Sequence, residues 1–176
     1  MTGFWEPHSS SVDFCESNYL HSDWIVEPHN VWSSALGISL LGVLGLWQSL
    51  RADKTHPISQ TNVKVSSTIL ILIGLGSVGL HGTMHWIFQS SDELPMIYVV
   101  LSSLYNLAEI DAPRGRAMHP WLAPVMIATA VANTAFYYVF QQLYWVFILT
   151  FATLAIVNTF WIAYLAFSVS HRNPHT

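Results

Sequence analysis

The sequence predicts an all-α fold, a polytopic membrane helical bundle of five transmembrane helices, on three observations. Charged residues make up only 9% of the 176-residue chain, against roughly 25% in soluble domains. Those charges are bunched, with no Asp, Glu, Lys or Arg between Glu27 and Arg51, Lys64 and Asp92, Glu93 and Glu109, or Arg116 and Arg172. Within these intervals lie continuous apolar runs rich in Leu, Ala and Gly. About 20 such residues span a bilayer core as a helix, whereas lipid-spanning strands alternate in polarity over roughly ten residues.

Taken in order, the apolar runs place the first helix over Val31–Leu50 and the second over Val65–Phe88. The third, over Pro95–Leu107, is short and needs its flanks. A polar connector precedes the fourth, Trp121–Phe140, and the fifth covers Tyr144–Phe167. Trp24, Trp32, Trp47, Trp86, Trp121, Tyr144 and Trp145 lie near the ends of these spans, where amphipathic rings favour the headgroup layer. The chain thus divides into an acidic amino-terminal segment (1–30), a helical bundle (31–168) and a short tail (169–176).

Five spans also place the charges consistently. Arg51, Lys54 and Lys64 fall in the first connector, Arg114 and Arg116 in the third, and Arg172 in the tail. All of these segments share one side, which the positive-inside rule makes cytoplasmic. The amino segment, with Glu6, Asp13, Glu16 and Asp23, and a turn at Asp92–Glu93 would face the opposite, lumenal side. That acidic start is unlike the basic, then apolar, beginning of a signal peptide. Six Lys and Arg against ten Asp and Glu leave no basic footprint for nucleic acid. A single cysteine, Cys15, excludes an internal disulfide and a cysteine-based zinc cluster.

Two groups of residues could carry chemistry. Ser77, His81 and His85 are spaced four apart along the second apolar run, so a helix there places them on one face. Ionisable groups in membrane helices are costly and point to function, and two imidazoles four apart can chelate a metal such as zinc. Against this, His85 sits beside Trp86 at a span end, where a histidine needs no special role, and serine commonly packs between membrane helices. Gly74, Gly76, Gly79 and Gly82 surround these side chains and suit close helix approach equally well. The second group is Asp13, Glu16, Asn18 and Glu27, whose hard oxygens, with a turn carbonyl such as that of Phe14, match calcium's preference for six to eight oxygen ligands. An acidic cap ahead of the first span is the alternative.

The blocks Gly3–Pro7, Ser11–Tyr19 and Ile25–Glu27, together with Gly76-Ser77, His81 and Asp92–Tyr98, resemble the alkaline ceramidases over roughly residues 3–101. The resemblance implies a seven-helix intramembrane zinc amidase that hydrolyses ceramide to sphingosine and a fatty acid. It further implies calcium at Asp13, the Phe14 carbonyl, Glu16, Asn18 and Glu27. His81 would be a zinc ligand, Ser77 the hydroxyl stabilising the oxyanion and Asp92 the proton-transfer carboxylate, while His85 matches no family ligand.

The family's other two zinc ligands form a His-x-x-x-His pair on the seventh helix. His171 and His175 have that spacing, but Pro174 disfavours a shared helix and the tail is expected on the cytoplasmic side. His29, His56 and His119 lie outside the apolar spans. The expectation is therefore a member of this family, truncated after five helices and weak or inactive alone, residing in the endoplasmic reticulum or Golgi membrane with its amino terminus lumenal. The competing expectation is a non-catalytic membrane protein that binds lipid or associates with other membrane helices. A channel or transporter subunit is disfavoured, because no inverted repeat is visible.

Overall fold

The computed structural model describes residues 3–51, 60–112 and 116–172. Lys54, His56, Arg114 and His175, the second member of the His171/His175 pair, lie outside the described residues. Among the described residues five long helices run in order: α1 Pro28–Arg51, α2 Gln60–Thr83, α3 Trp86–Ala108, α4 Leu122–Val139 and α5 Tyr144–Arg172. No strand occurs among the described residues. Windows within Pro28–Arg51, Asn62–Thr83, Leu122–Val139 and Gln141–Ser168 are long and apolar enough to cross a membrane, which makes this an integral membrane protein. The remaining helix, α3, is polar in its opening turns, where Gln89, Ser90, Ser91, Asp92 and Glu93 follow one another.

The chain forms two compact units, Met1–Val99 and Val100–Thr176. In the first, Pro28 opens α1 at a position where its missing N–H is no loss. The side chain that caps this helix end comes from a distant residue, Glu16, whose two oxygens accept the His29 and Asn30 amides at 2.8 Å each. A π-helical stretch, Ser34–Ser39, follows within α1. Small residues then set the spacing between helices. A Cβ on Gly74 would sit 2.6 Å from the Ser39 backbone nitrogen, and one on Gly42 2.8 Å from that of Ile71, so α1 and α2 approach nearly backbone to backbone. Gly76 does the same against α3, where a Cβ would lie 2.5 Å from the Ser91 carbonyl carbon and 2.7 Å from the Asp92 nitrogen.

The structure corrects two expectations about the second and third helices. Helix α2 ends at Thr83 rather than Phe88. Met84 terminates it in a left-handed conformation, φ 51°, with its amide bonded to the Leu80 carbonyl at 2.6 Å and its side chain fully buried. Residues in that conformation commonly stop helices. His85 therefore lies in the following turn, so the four-residue spacing from His81 does not put both imidazoles on one helix face. The Asp92–Glu93 pair, in turn, lies inside α3 rather than in a turn, because α3 begins at Trp86.

In the second unit, Glu109 closes the connector after α3 by accepting the Met118 and His119 amides at 2.5 and 2.7 Å, and it also meets the His119 ring at 3.2 Å. A 3₁₀ turn, Gln141–Leu143, links α4 to α5. Near that turn Phe147 is buried among the rings of Tyr137, Tyr144 and Phe151. No residue of α4 is buried, leaving its apolar side chains for lipid or for other helices.

The close approach at Gly76 gives a stability test. Gly76→Val forces side-chain atoms into the α3 backbone and is expected to lower stability in detergent by about 1–3 kcal/mol. Gly37→Ala, at a position where a Cβ would meet nothing within 4 Å, should be neutral or stabilising. Thermal melts of the two variants check this pair of outcomes.

Candidate functional site

A helix that ends inside a protein leaves its last carbonyls without intrahelical donors, and the amino segment supplies the donors for α2. The Glu27 amide bonds the His81 carbonyl at 2.9 Å, and the Val26 amide bonds that of Gly82 at 3.2 Å. The Ser9 and Ser10 amides both reach the Met84 carbonyl, at 3.1 and 3.0 Å. Tyr19, at φ 57°, turns the chain so that its amide meets the Val26 carbonyl at 2.7 Å. Residues 9–27 are thereby folded onto the end of the helix that carries Ser77 and His81.

Docking this segment drives the Glu27 side chain into the interior. Glu27 is fully buried, and its Oε2 accepts the His81 Nδ1–H at 2.5 Å and the Asn30 side-chain amide at 3.1 Å. With Glu27 as a carboxylate, which only accepts, the bond takes its proton from His81 Nδ1, and Nε2 is the ring nitrogen turned away from Glu27. The Phe14 ring packs on the imidazole with centroids 4.7 Å apart. One turn earlier, Ser77 is buried and its hydroxyl lies 2.8 Å from that of Ser34 on α1. The backbone of Asp92 is adjacent, because Gly76 packs directly on the Ser91–Asp92 peptide.

The acidic residues converge less tightly. Asp13 Oδ1 accepts from Asn18 Nδ2 at 3.2 Å, while both Glu16 oxygens are engaged by the start of α1. Two buried oxygens, Asn18 Oδ1 and Glu27 Oε1, have no hydrogen-bond partner. Buried acceptors left unsatisfied are costly, and hard oxygens in that condition suit a calcium ion. His81 likewise suits a metal, since ligating imidazoles usually hold a carboxylate on their second nitrogen. Among the described residues, no three His, Cys, Asp or Glu side chains are grouped to hold an ion by themselves. His85 instead accepts the Ile87 amide on Nδ1 at 3.3 Å. His29 is exposed with its ring against His21, and His119 is bound to Glu109.

Sequence reasoning assigned Glu27 and His81 to separate metals and did not pair them. Their separation of 54 positions carries no periodic signal, and the same holds for Ser34 with Ser77. Gln89, and its pairing with Glu93, were also missed. Both are buried on α3, bonded to each other at 3.0 Å. Their four-residue spacing was the available clue, hidden because this stretch reads as a polar turn.

The Ceramidase family model matches residues 6–175. The chain is 36% identical over 113 residues to a putative alkaline ceramidase, dcd3A, of Dictyostelium discoideum, covering 58% of this chain and 39% of that protein. It is 35% identical over 113 residues to an alkaline ceramidase of Arabidopsis thaliana, covering 63% and 41% of the two chains. Against alkaline ceramidase YPC1 of Saccharomyces cerevisiae identity is 31% over 113 residues, covering 61% and 32%. The matches thus span about two-fifths of the relatives' length or less.

Two outcomes test this geometry. Glu27→Leu strands a buried His81 N–H and should cost about 1–3 kcal/mol, whereas Glu27→Gln keeps an acceptor and should cost less; chemical denaturation compares them. For Glu16, desolvation pulls the carboxyl pKa up, but the His29 and Asn30 amides, together with the nearby His29 and His81 rings, hold it below the ordinary carboxylate value. A depressed folded-state pKa stabilises above the unfolded value and is lost as pH falls through the folded one. The melting difference between the natural protein and Glu16→Gln should therefore be constant near neutrality, no larger than about 1 kcal/mol given the exposure, and vanish in acid.

Proposed function

Because the chain belongs to the ceramidase family, we propose that it acts in sphingolipid metabolism as a hydrolase of the ceramide amide bond, releasing sphingosine and a free fatty acid. The observation that carries this reading is the buried Glu27–His81 bond beside Ser77. It presents one imidazole nitrogen at the end of a membrane helix, with a hydroxyl one turn away. The likeness to alkaline ceramidases of Dictyostelium discoideum and Arabidopsis thaliana supports the reaction class.

In this proposal His81 would be one zinc ligand, through Nε2, since among the described residues no three such side chains are grouped to complete a site. Bound there, the metal would polarise the amide carbonyl and activate water. Glu27 fixes the His81 tautomer and ring plane and raises its basicity as a ligand. Ser77, held by Ser34, donates its hydroxyl to the oxygen on which negative charge develops. Asp92 takes a proton from the attacking water and returns it to the leaving amine. Exclusion of bulk water follows from the burial of Ser77 and His81 and from the Phe14 ring on the imidazole.

The amino segment takes calcium in the same reading, through Asp13, the Phe14 carbonyl, Glu16, Asn18 and Glu27. The partnerless Asn18 Oδ1 and Glu27 Oε1 support this. Glu27 then serves both sites with its two oxygens, one facing His81 and one left for the loop cation. The amino segment is assigned to the lumen of the endoplasmic reticulum or Golgi, in keeping with the charge distribution along the chain. Ceramide reaches the site from the bilayer.

Ser77→Ala, His81→Ala and Asp92→Asn should each lower ceramide turnover at least about a hundredfold, with zinc content falling only in His81→Ala. Zinc-free protein whose turnover survives His81→Ala would defeat the hydrolase reading as written. Protein that binds calcium and ceramide but turns nothing over would favour a lipid-binding membrane protein of the same family. For calcium, chelation should lower the melting temperature of the natural protein and leave that of Asp13→Ala unchanged.

A further inference from the structure

Gln89 is among the largest side chains that are fully enclosed, 1% exposed, and the reaction proposed above gives it no task. Its amide is used at both ends. Oε1 accepts the Ser11 backbone N–H at 2.7 Å, a bond between residues 78 positions apart. Nε2 donates to Glu93 Oε1 at 3.0 Å, one turn further along α3, and Glu93 is itself only 4% exposed.

A buried primary amide is tolerated where its donor and acceptor are both met; a leucine or methionine would serve if only volume were required. The Gln89 amide is aimed at a backbone group of the amino segment, and Glu93 settles which end of the amide faces that group. A glutamine whose Nε2 is held by a carboxylate must present oxygen on its other side, and oxygen is what the Ser11 N–H needs.

The position of Ser11 gives the bond its consequence. Ser9 and Ser10 are held by the Met84 carbonyl, and the Ser9 hydroxyl accepts the Trp86 amide at 3.1 Å. Ser11 is the next residue, and the Ser10 hydroxyl closes a turn onto the Val12 carbonyl at 2.9 Å. Asp13 follows immediately. Gln89 thus grips the chain two residues before the acidic loop begins, from the helix that also bears Asp92.

We propose that Gln89 is a positioning residue that, with its amide oriented by Glu93, pins Ser11 to α3 and so fixes where the Asp13–Asn18 calcium loop starts relative to the helix carrying Asp92. This rests on the calcium reading of the preceding subsection. A rigid loop entry keeps the loop oxygens preorganised, and preorganisation contributes affinity.

The test measures calcium binding by calorimetry on the full chain in detergent, together with amide exchange across residues 9–18. Gln89→Met, similar in size and without an amide, should weaken calcium binding about tenfold or more and speed exchange at Ser11, with helical circular dichroism retained. Ser11→Pro, which removes the donor from the other side, should reproduce the calcium loss. The exchange variant Gln89→Glu with Glu93→Gln keeps an acceptor towards Ser11 and a donor behind it, and should restore most of the affinity. Calcium binding by Gln89→Met equal to that of the natural protein overturns the proposal, as does a double variant as weak as Gln89→Met. A natural protein that binds no calcium defeats the calcium reading, and Ser11 exchange then decides the pin alone: protection unchanged in Gln89→Met overturns it, and lost protection sustains it.

Discussion

The first unit is organised by one buried hydrogen bond, that between Glu27 and His81. An ionisable pair removed from water is favourable only where geometry is good and the remaining donors and acceptors are met. This requirement explains several otherwise unrelated features. Helix α2 must stop soon after His81, so that its free carbonyls can receive Val26 and Glu27. The amino segment must double back at Tyr19 to deliver them. Helix α1 must start directly after Glu27, which leaves its first amides to be capped by Glu16 from a distance. Break the pair, and the reason for each of these arrangements goes with it.

The small-residue positions on α2 follow from the same end-on construction. With Gly74 against Ser39 and Gly76 against the Ser91–Asp92 peptide, α1 and α3 both pack close on α2 in the turn that precedes Ser77. Close packing is the principal attraction available between helices in lipid, which solvates apolar side chains as well as a protein does. Here it also sets the backbone of Asp92 against the turn of α2 that precedes Ser77, with His81 one turn further along the same helix.

Much of this was legible in the sequence, and the limits have physical causes. Four of the five long helices were readable because a bilayer imposes a length on an uninterrupted apolar run; the remaining one, α3, was readable only over Pro95–Leu107. Its first turns are polar for a tertiary reason, since Gln89 and Glu93 face partners within the unit, and burial by tertiary contact leaves no mark in a hydropathy window. The overrun of α2 past Met84 has a related cause. Ile87 and Phe88 extend the apolar run, while a left-handed methionine, which few sequences signal, ends the helix. The candidate site was legible in parts: spacing placed Ser77 and His81 on one face and composition made the amino segment acidic. The pairing of Glu27 with His81 was not, because contacts between segments 54 positions apart obey no period.

The polarity of the opening turns of α3 has its counterpart in the contacts that cover them. A charged side chain facing lipid costs several kcal/mol, so Asp92, Glu93 and Gln89 can persist only if their helix is covered where they lie. Gly76 permits that cover on one side by letting α2 press onto the Ser91–Asp92 backbone. The amino segment supplies it on another, through Ser11 on Gln89 and Ser9 on the Trp86 amide. The segment that looks from composition like a soluble cap is therefore what allows a polar helix to stand at this end of the unit. Cap, polar helix turn and buried histidine thus form a single solvation problem, met by hydrogen bonds that the amino segment makes to the helix turn and to the histidine.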